Sequence, residues 1–200
     1  MPDKSAKLTA FDFDGTLTYK DSFLSFLIDS LGIMKTSFAF ARKPSLLAGY
    51  LRTQDRGALK AGLLHTLFGP VPRDELAARM NGYATRIGLK LFRPDALRTW
   101  QGTDGPRVIV TASPEMLVAP FGAMIGADRV IGTRLGFGDD GRLLPTLDGI
   151  NCRGEEKMCR LREAFGPDMV LDAAYGDTAG DKEMLTAAKQ GFYRVFKEKP

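Results

Sequence analysis

Apolar and polar positions along the chain fall into two alternating regimes. Leu8-Thr-Ala-Phe-Asp-Phe13 is a short apolar run ending at Asp14-Gly15, and it reads as a strand followed by a turn. From Asp21 the period changes: Phe23, Phe26, Leu27, Ser30 and Leu31 recur at helical spacing. Helical patterning continues over 45–51, 57–68 and 73–87, interrupted by Pro44, Gly69-Pro70 and Pro72. Strand character returns at Arg107-Val-Ile-Val-Thr111, a β-branched run of the kind buried in parallel sheets. The pattern then predicts a helix from Pro114 to Ile125, a strand over 129–131 and a hairpin over 134–146 around Gly138-Asp-Asp-Gly141. A helix over 154–165, a strand over 169–175, a helix over 181–189 and a last strand over 192–196 complete the chain. Strands alternating with helices predict an α/β fold with an open parallel sheet, and the block after the first strand predicts one large helical insertion. Sites in such sheets lie beyond the carboxyl ends of the strands. That rule selects Asp12, Asp14, Thr111 and Asp177.

Composition narrows the class without choosing a function. In 200 residues, 44% are hydrophobic and 26% charged, which fits a globular chain with a core. The net charge of +4 is too small to argue for nucleic acid, and none is expected as a partner. No uncharged apolar run reaches the roughly 18 residues of a spanning helix, and the polar start from Met1 to Lys7 predicts no leader. Cys152 and Cys159 would lie about 10.5 Å apart along one helix, too far to bridge, so two reduced thiols and a cytoplasmic location are expected. One histidine, His65, and two cysteines leave little for a zinc site.

The candidate chemistry lies in four short segments. Phe11-Asp-Phe-Asp-Gly-Thr-Leu-Thr18 places two carboxylates at i and i+2, pointing the same way from a strand end. Two like charges among aromatic residues need a positive partner, and a divalent cation with oxygen ligands supplies one. Thr111-Ala-Ser113 closes another apolar strand, where a hydroxyl and backbone N–H groups can hold phosphoryl oxygens. Ser113 also reads simply as a helix N-cap before Pro114. Lys157 is a lone lysine early in a helix, and Tyr175-Gly-Asp-Thr-Ala-Gly-Asp181 brings Asp177 and Asp181 to a helix start, where capping accounts for only one of them.

In this order the segments resemble the four-motif set of the haloacid dehalogenase-like (HAD) hydrolases. The resemblance implies a Rossmann-like parallel-sheet core at 1–17 and 93–200 with an inserted helical cap at 18–92. It further implies a Mg²⁺-dependent phosphomonoester hydrolase working through an aspartyl-phosphate. In that scheme Asp12 is the nucleophile and Asp14 the acid and base. The metal is held by Asp12, the Asp14 main-chain carbonyl and Asp177, while Asp181 orients a bound water. Thr111, Ala112 and Lys157 bind the phosphoryl oxygens.

Within the family the chain is similar to two subgroups. One is the phosphoserine phosphatases, which carry Glu at the position of Asp21, Arg near Lys60 and Ser-Gly-Gly where this chain has Thr111-Ala-Ser-Pro114. The other contains phosphatidylglycerophosphatase C, and it shares Asp21-x-Phe23-x-x-Phe26-Leu27, Thr-x-Ser-Pro114 and Cys152-x-Gly-x-Glu-Lys157. The second likeness makes a lipid phosphate the expected substrate, with another small monoester, phosphoserine among them, as the alternative. Asp21 and Lys60 are the candidate specificity residues. Between Ile33 and Phe68, Lys35, Arg42, Lys43, Arg52, Arg56 and Lys60 face Asp55 alone, a local charge of +5. Phe38, Phe40, Leu46, Leu47 and Tyr50 are interspersed, so peripheral membrane contact is a further expectation, beside the plain account of a solvated helix face. A phosphomutase or phosphotransferase on the same fold, a receiver-like signalling module and a membrane-surface adaptor are the competing readings.

Overall fold

The computed structural model describes residues 7–42 and 56–200, without the side chains of 35 and 37–42. The helix expected over 45–51 lies outside the described residues, as do Lys43, Leu46, Leu47, Tyr50, Arg52 and Asp55 and the side chains of Lys35, Phe38, Phe40 and Arg42.

In chain order the strands are β1 (Leu8–Phe11), β2 (Arg107–Pro114), β3 (Arg129–Thr133), β4 (Leu135–Phe137), β5 (Leu143–Leu147), β6 (Leu171–Gly176) and β7 (Gln190–Tyr193). The helices are α1 (Ser22–Arg42), α2 (Arg56–Phe68), α3 (Arg73–Ile87), α4 (Pro94–Gln101), α5 (Glu115–Met124), α6 (Glu155–Phe165) and α7 (Lys182–Ala187). Short 3₁₀ turns occupy Gly88–Leu91 and Ala179–Asp181. Five strands form one sheet in the order β3-β2-β1-β6-β7, every neighbouring pair parallel, and β4 and β5 form a separate antiparallel hairpin.

β1 is central, and its period of two divides the core. Leu8 and Ala10 face a cluster with Val108, Val110, Ile131, Leu161, Leu171 and Ala174. Phe11 and Phe13 face a larger cluster that runs without a break into the helical insertion, through Phe26, Leu64, Tyr83, Phe92 and Phe121. Across the sheet Phe11 pairs with Tyr175, and Tyr175 with Phe192. Their rings stack at 4.5 and 4.7 Å between centroids, so strand register becomes an aromatic ladder beneath the site. Thr18 bridges to Phe92, so the chain leaves for the insertion and returns from it side by side.

Four local outcomes differ from expectation. α1 is kinked at Gly32, whose φ of 79° interrupts the helix. α4 was not foreseen, because eight residues are too few to display a period; Pro94 begins it, and it carries the buried Trp100, which donates to the Ile125 carbonyl at 2.8 Å. β2 extends to Pro114, because pairing with β3 resumes there after a register shift. The last helix ends at Ala187 and the last strand begins at Gln190, which pairs with Ala173; Arg194, at φ 53°, lies just beyond that strand.

Candidate active site

Asp12 follows β1 directly, its N–H donating to the Tyr175 carbonyl at 2.9 Å, so the two central strands fix its backbone. Lys157 reaches it from the first turn of α6 and is only 1% exposed. Its ammonium donates at 2.6 Å to Asp12 Oδ1, to Asp181 Oδ1 and to the Val110 carbonyl. All three of its protons are therefore committed. Burial opposes its charge, but Asp12 and Asp181 outweigh burial and raise its pKa. Burial likewise pushes Asp181 up, but Lys157 and Thr178 hold its carboxyl below the usual range. At Asp12 burial wins: against the attraction of Lys157, and with repulsion from Asp181 and Asp14, its pKa is pushed up to about 7.

Capping was expected to account for one of Asp177 and Asp181, and the family resemblance gave Asp181 the orienting of a bound water. The cap is instead Thr178, whose side chain accepts from the Gly180 N–H while Asp181 reaches back in a capping box. Asp181 Oδ2 receives the N–H groups of Asp177 and Thr178 and the Thr178 hydroxyl, at 2.9–3.2 Å. Both of its oxygens are thus taken.

Carboxylate oxygens of Asp12, Asp177 and Asp181 lie within 4.8 Å of one another. With Asp181 the most heavily hydrogen-bonded of the three, most of the open acceptor capacity lies on Asp12 Oδ2 and Asp177; both face the Thr16 hydroxyl at 3.4 Å. Burial, with repulsion from Asp181, raises Asp177 as well. Gly15 makes the close approach feasible: at its φ of 85° a Cβ would stand 2.3 Å from Asp177 Oδ2. An all-oxygen set with one lysine for three acids fits a hard divalent cation such as Mg²⁺.

Asp14 turns its side chain away from this group. Its Oδ1 accepts from the Ser22 N–H at 2.7 Å, and its Oδ2 accepts from the Ser113 hydroxyl. Burial and repulsion from Asp21 raise its pKa, against the pull of Lys60, Ser113 and Ser22. The N-cap reading of Ser113 is corrected: Pro114 occupies that position, and no side chain caps α5.

A cavity of about 140 Å³ opens over these groups. Asp12, Asp14, Thr111, Ala112, Lys157, Asp181, Asp21 and Lys60 all line it. Asp177 borders an adjoining recess with Gly15 and Thr16. Thr111 is buried, its hydroxyl oxygen accepting from the Ser113 N–H at 3.0 Å. Lys60 comes from α2 and donates to Ser113 Oγ at 2.8 Å. Asp21 accepts from the Leu24 N–H at 2.7 Å, which caps the start of α1. Residue patterning missed Ser113 as an Asp14 partner, and it missed Arg56, Arg153 and Thr178 on the cavity wall. Thr178-x-x-Asp181 was legible as a capping box, whereas nothing in the sequence marks the two arginines.

Elsewhere the chemistry is structural. Asp172 pairs with Lys189 at 2.7 Å on the surface. Burial pushes the Cys152 thiol up to about 11, and Cys159 is exposed on α6. A larger cavity of about 700 Å³ beside the β4–β5 hairpin contains none of the residues expected at the site.

The family model of haloacid dehalogenase-like hydrolases matches residues 9–186. The chain belongs to this family. It is 47% identical over 196 residues to Protein CicA of Caulobacter vibrioides, a match covering 96% of this chain and 88% of that protein. A protein of unknown function from Bordetella pertussis Tohama I shares the fold at a TM-score of 0.72 and 22% identity, over 90% of this chain and 86% of that one. A phosphoserine phosphohydrolase-like protein from Francisella tularensis does so at 0.63 and 15%, over 94% and 85%. As a HAD hydrolase, the chain has its four motif segments gathered at the carboxyl ends of β1, β2 and β6 and the start of α6. Among the described residues no helix is long and apolar enough to cross a membrane.

Proposed function

We propose that the protein is a Mg²⁺-dependent phosphomonoester hydrolase in which Asp12 becomes transiently phosphorylated. One observation carries this reading. Asp12 has one oxygen pinned by Lys157 and the other, with only a long contact to the Thr16 hydroxyl, beside Asp177, while Asp14, two residues on, presents a second carboxylate to the same cavity. The pinned oxygen orients the nucleophile, and Asp12 attacks phosphorus as the ester oxygen departs. Asp14, whose burial favours the protonated form, gives that oxygen its proton and then takes one from the hydrolytic water. Thr111 and the backbone at Ala112 hold non-bridging oxygens. Lys157 stabilises charge from beside Asp12 and must exchange one of its existing bonds to touch the phosphoryl group. Asp12 and Asp177, with the Asp14 carbonyl, would hold Mg²⁺, which offsets the repulsion between the carboxylate and an incoming phosphate; Asp181 steadies the loop behind them.

Residues 18–92 act as a cap in this reading, excluding bulk water from the acyl-phosphate. The basic segment from Lys35 to Lys60 favours a lipid phosphate such as phosphatidylglycerophosphate, met at a membrane surface. Phosphoserine is the second reading. It is supported by the phosphoserine phosphohydrolase-like neighbour and by Asp21, Arg56 and Lys60 on the cavity wall, groups of both signs suited to an amino acid. Phosphate release from phosphatidylglycerophosphate, phosphoserine, sugar phosphates and nucleotides, with and without Mg²⁺, tests both readings. Asp12→Asn serves as the blank. Release by that variant at the wild-type rate, or isomerised sugar phosphate without release, would count against hydrolysis at Asp12.

A further inference from the structure

We infer that Ser113 is a positioning residue that aims Asp14, and that Lys60 makes this aim depend on the seating of α2. The inference rests on the reading of Asp14 as the proton donor.

The first link in the chain of contacts has one chemically allowed direction. Lys60 Nζ lies 2.8 Å from Ser113 Oγ, and an ammonium can only donate. The serine oxygen is therefore the acceptor there, and when Asp14 is ionised the serine proton is left for Asp14 Oδ2, with which it is in hydrogen-bond contact; a protonated Asp14 can donate to the same serine oxygen, which has a second lone pair. Asp14 Oδ1 is held separately by the Ser22 N–H at 2.7 Å. Two donors on different elements thus fix the plane of the carboxylate, one at the start of α1 and one at the end of β2.

Ser113 and Lys60 are themselves anchored. The Ser113 N–H donates to Thr111 Oγ1 at 3.0 Å, which ties the serine to the strand end that carries the expected phosphoryl-binding hydroxyl. Lys60 is steadied from beneath by the Phe23 ring, its Nζ 5.3 Å from the centroid. Without Lys60, the Ser113 hydroxyl is free to rotate and donate elsewhere, and Asp14 Oδ2 would lose its fixed partner. A residue on the insertion thereby acts on the acid of the core through one intervening hydroxyl. The arrangement makes proton donation to the leaving group most efficient when α2 is docked.

The test compares two monoesters that differ in their need for an acid. Glycerol 3-phosphate releases an alkoxide and needs a proton; 4-nitrophenyl phosphate releases a stable phenolate and needs little help. Ser113→Ala should lower the ratio of kcat for glycerol phosphate to kcat for nitrophenyl phosphate by about 10-fold or more, a part of the 10²–10⁴ that general acids supply. Ser113→Thr, which keeps the hydroxyl, should restore it. Lys60→Met should lower the same ratio, and the double variant should fall by less than the product of the two single losses, because Lys60 acts on Asp14 largely through Ser113. Equal losses on both esters, no rescue by threonine, or additive losses would overturn the inference. If the wild type turns over neither these two esters nor any substrate of the previous subsection, the reading given there fails instead. Crystal structures of the two single variants then decide this one: an Asp14 carboxylate unmoved in both refutes it.

Discussion

Removing the charge of Asp12 should stabilise the metal-free protein while abolishing turnover. Burial raises the Asp12 pKa from its ordinary 3.8 to about 7. A carboxyl whose folded pKa lies above its unfolded value contributes stability that is complete below the unfolded value and is lost as pH rises through the folded one. At about 1.36 kcal/mol per pH unit, the loss between pH 4 and pH 8 is on the order of 4 kcal/mol, roughly 3 of it between pH 5 and pH 8. In Asp12→Asn that loss is absent, and Lys157 keeps Asp181 and the Val110 carbonyl as partners, so the lysine is not stranded. Urea denaturation in chelator at several pH values measures both curves. The variant should gain steadily on the wild type as pH rises, because shifts at Asp14, Asp177 and Asp181 enter both curves and cancel to first order. Millimolar Mg²⁺ should close the gap at pH 8 and have little effect at pH 5, where protons already neutralise the site. Parallel curves in chelator would refute the reasoning, since Asp12 would then be ionised in the fold at no cost.

Three further outcomes follow from the geometry. Gly15→Ala places a Cβ 2.3 Å from Asp177 Oδ2 at a φ of 85°, so Mg²⁺ binding measured by calorimetry should weaken by at least about 10-fold, with stability falling by about 1 kcal/mol or more. Asp177→Asn removes one of the two carboxylates with free lone pairs, so the rise in thermal midpoint on adding Mg²⁺ at pH 8 should be largely lost; a full rise would place the cation elsewhere. Asp21→Ala removes the cap of α1 and should cost about 1 kcal/mol. If Asp21 also contacts substrate, kcat/KM on the physiological ester should fall more than on 4-nitrophenyl phosphate, and equal falls would leave it as a cap alone.

The parts of this site that could be read from sequence are those built from neighbours in the chain. Asp12 and Asp14 close a strand, and Asp177 and Asp181 straddle the turn after another, so a local pattern already places each pair at the right end of the sheet. The division of labour inside each pair was not legible. Asp12 is buried and Asp14 half-buried, yet one faces Lys157 and the other faces Ser113, and that difference comes from α6, β2 and α2, distant in sequence. Ser113 shows the limit clearly: beside Pro114 it has every mark of an N-cap, and its hydroxyl is drawn off by a carboxylate 99 residues away. The aromatic ladder from Phe11 to Phe192 was likewise hidden, because each ring reads as an ordinary core residue until the register is known.

Chemistry and stability pull against each other at this site, and the pull accounts for its construction. Asp12, Asp177 and Asp181 crowd within 4.8 Å with Lys157 as their buried counter-charge. A more stable chain would place apolar groups there, because replacing buried charges by well-packed hydrophobes is often neutral or favourable. The sequence instead uses the lysine for all three of its contacts and ties Asp181 Oδ2 into a capping box, which leaves most of the unmet acceptor capacity on Asp12 and Asp177. Strain confined to those two carboxylates can be relieved by a cation and by an electrophilic phosphorus. A site relaxed everywhere would have no free energy left to bind the first or attack the second.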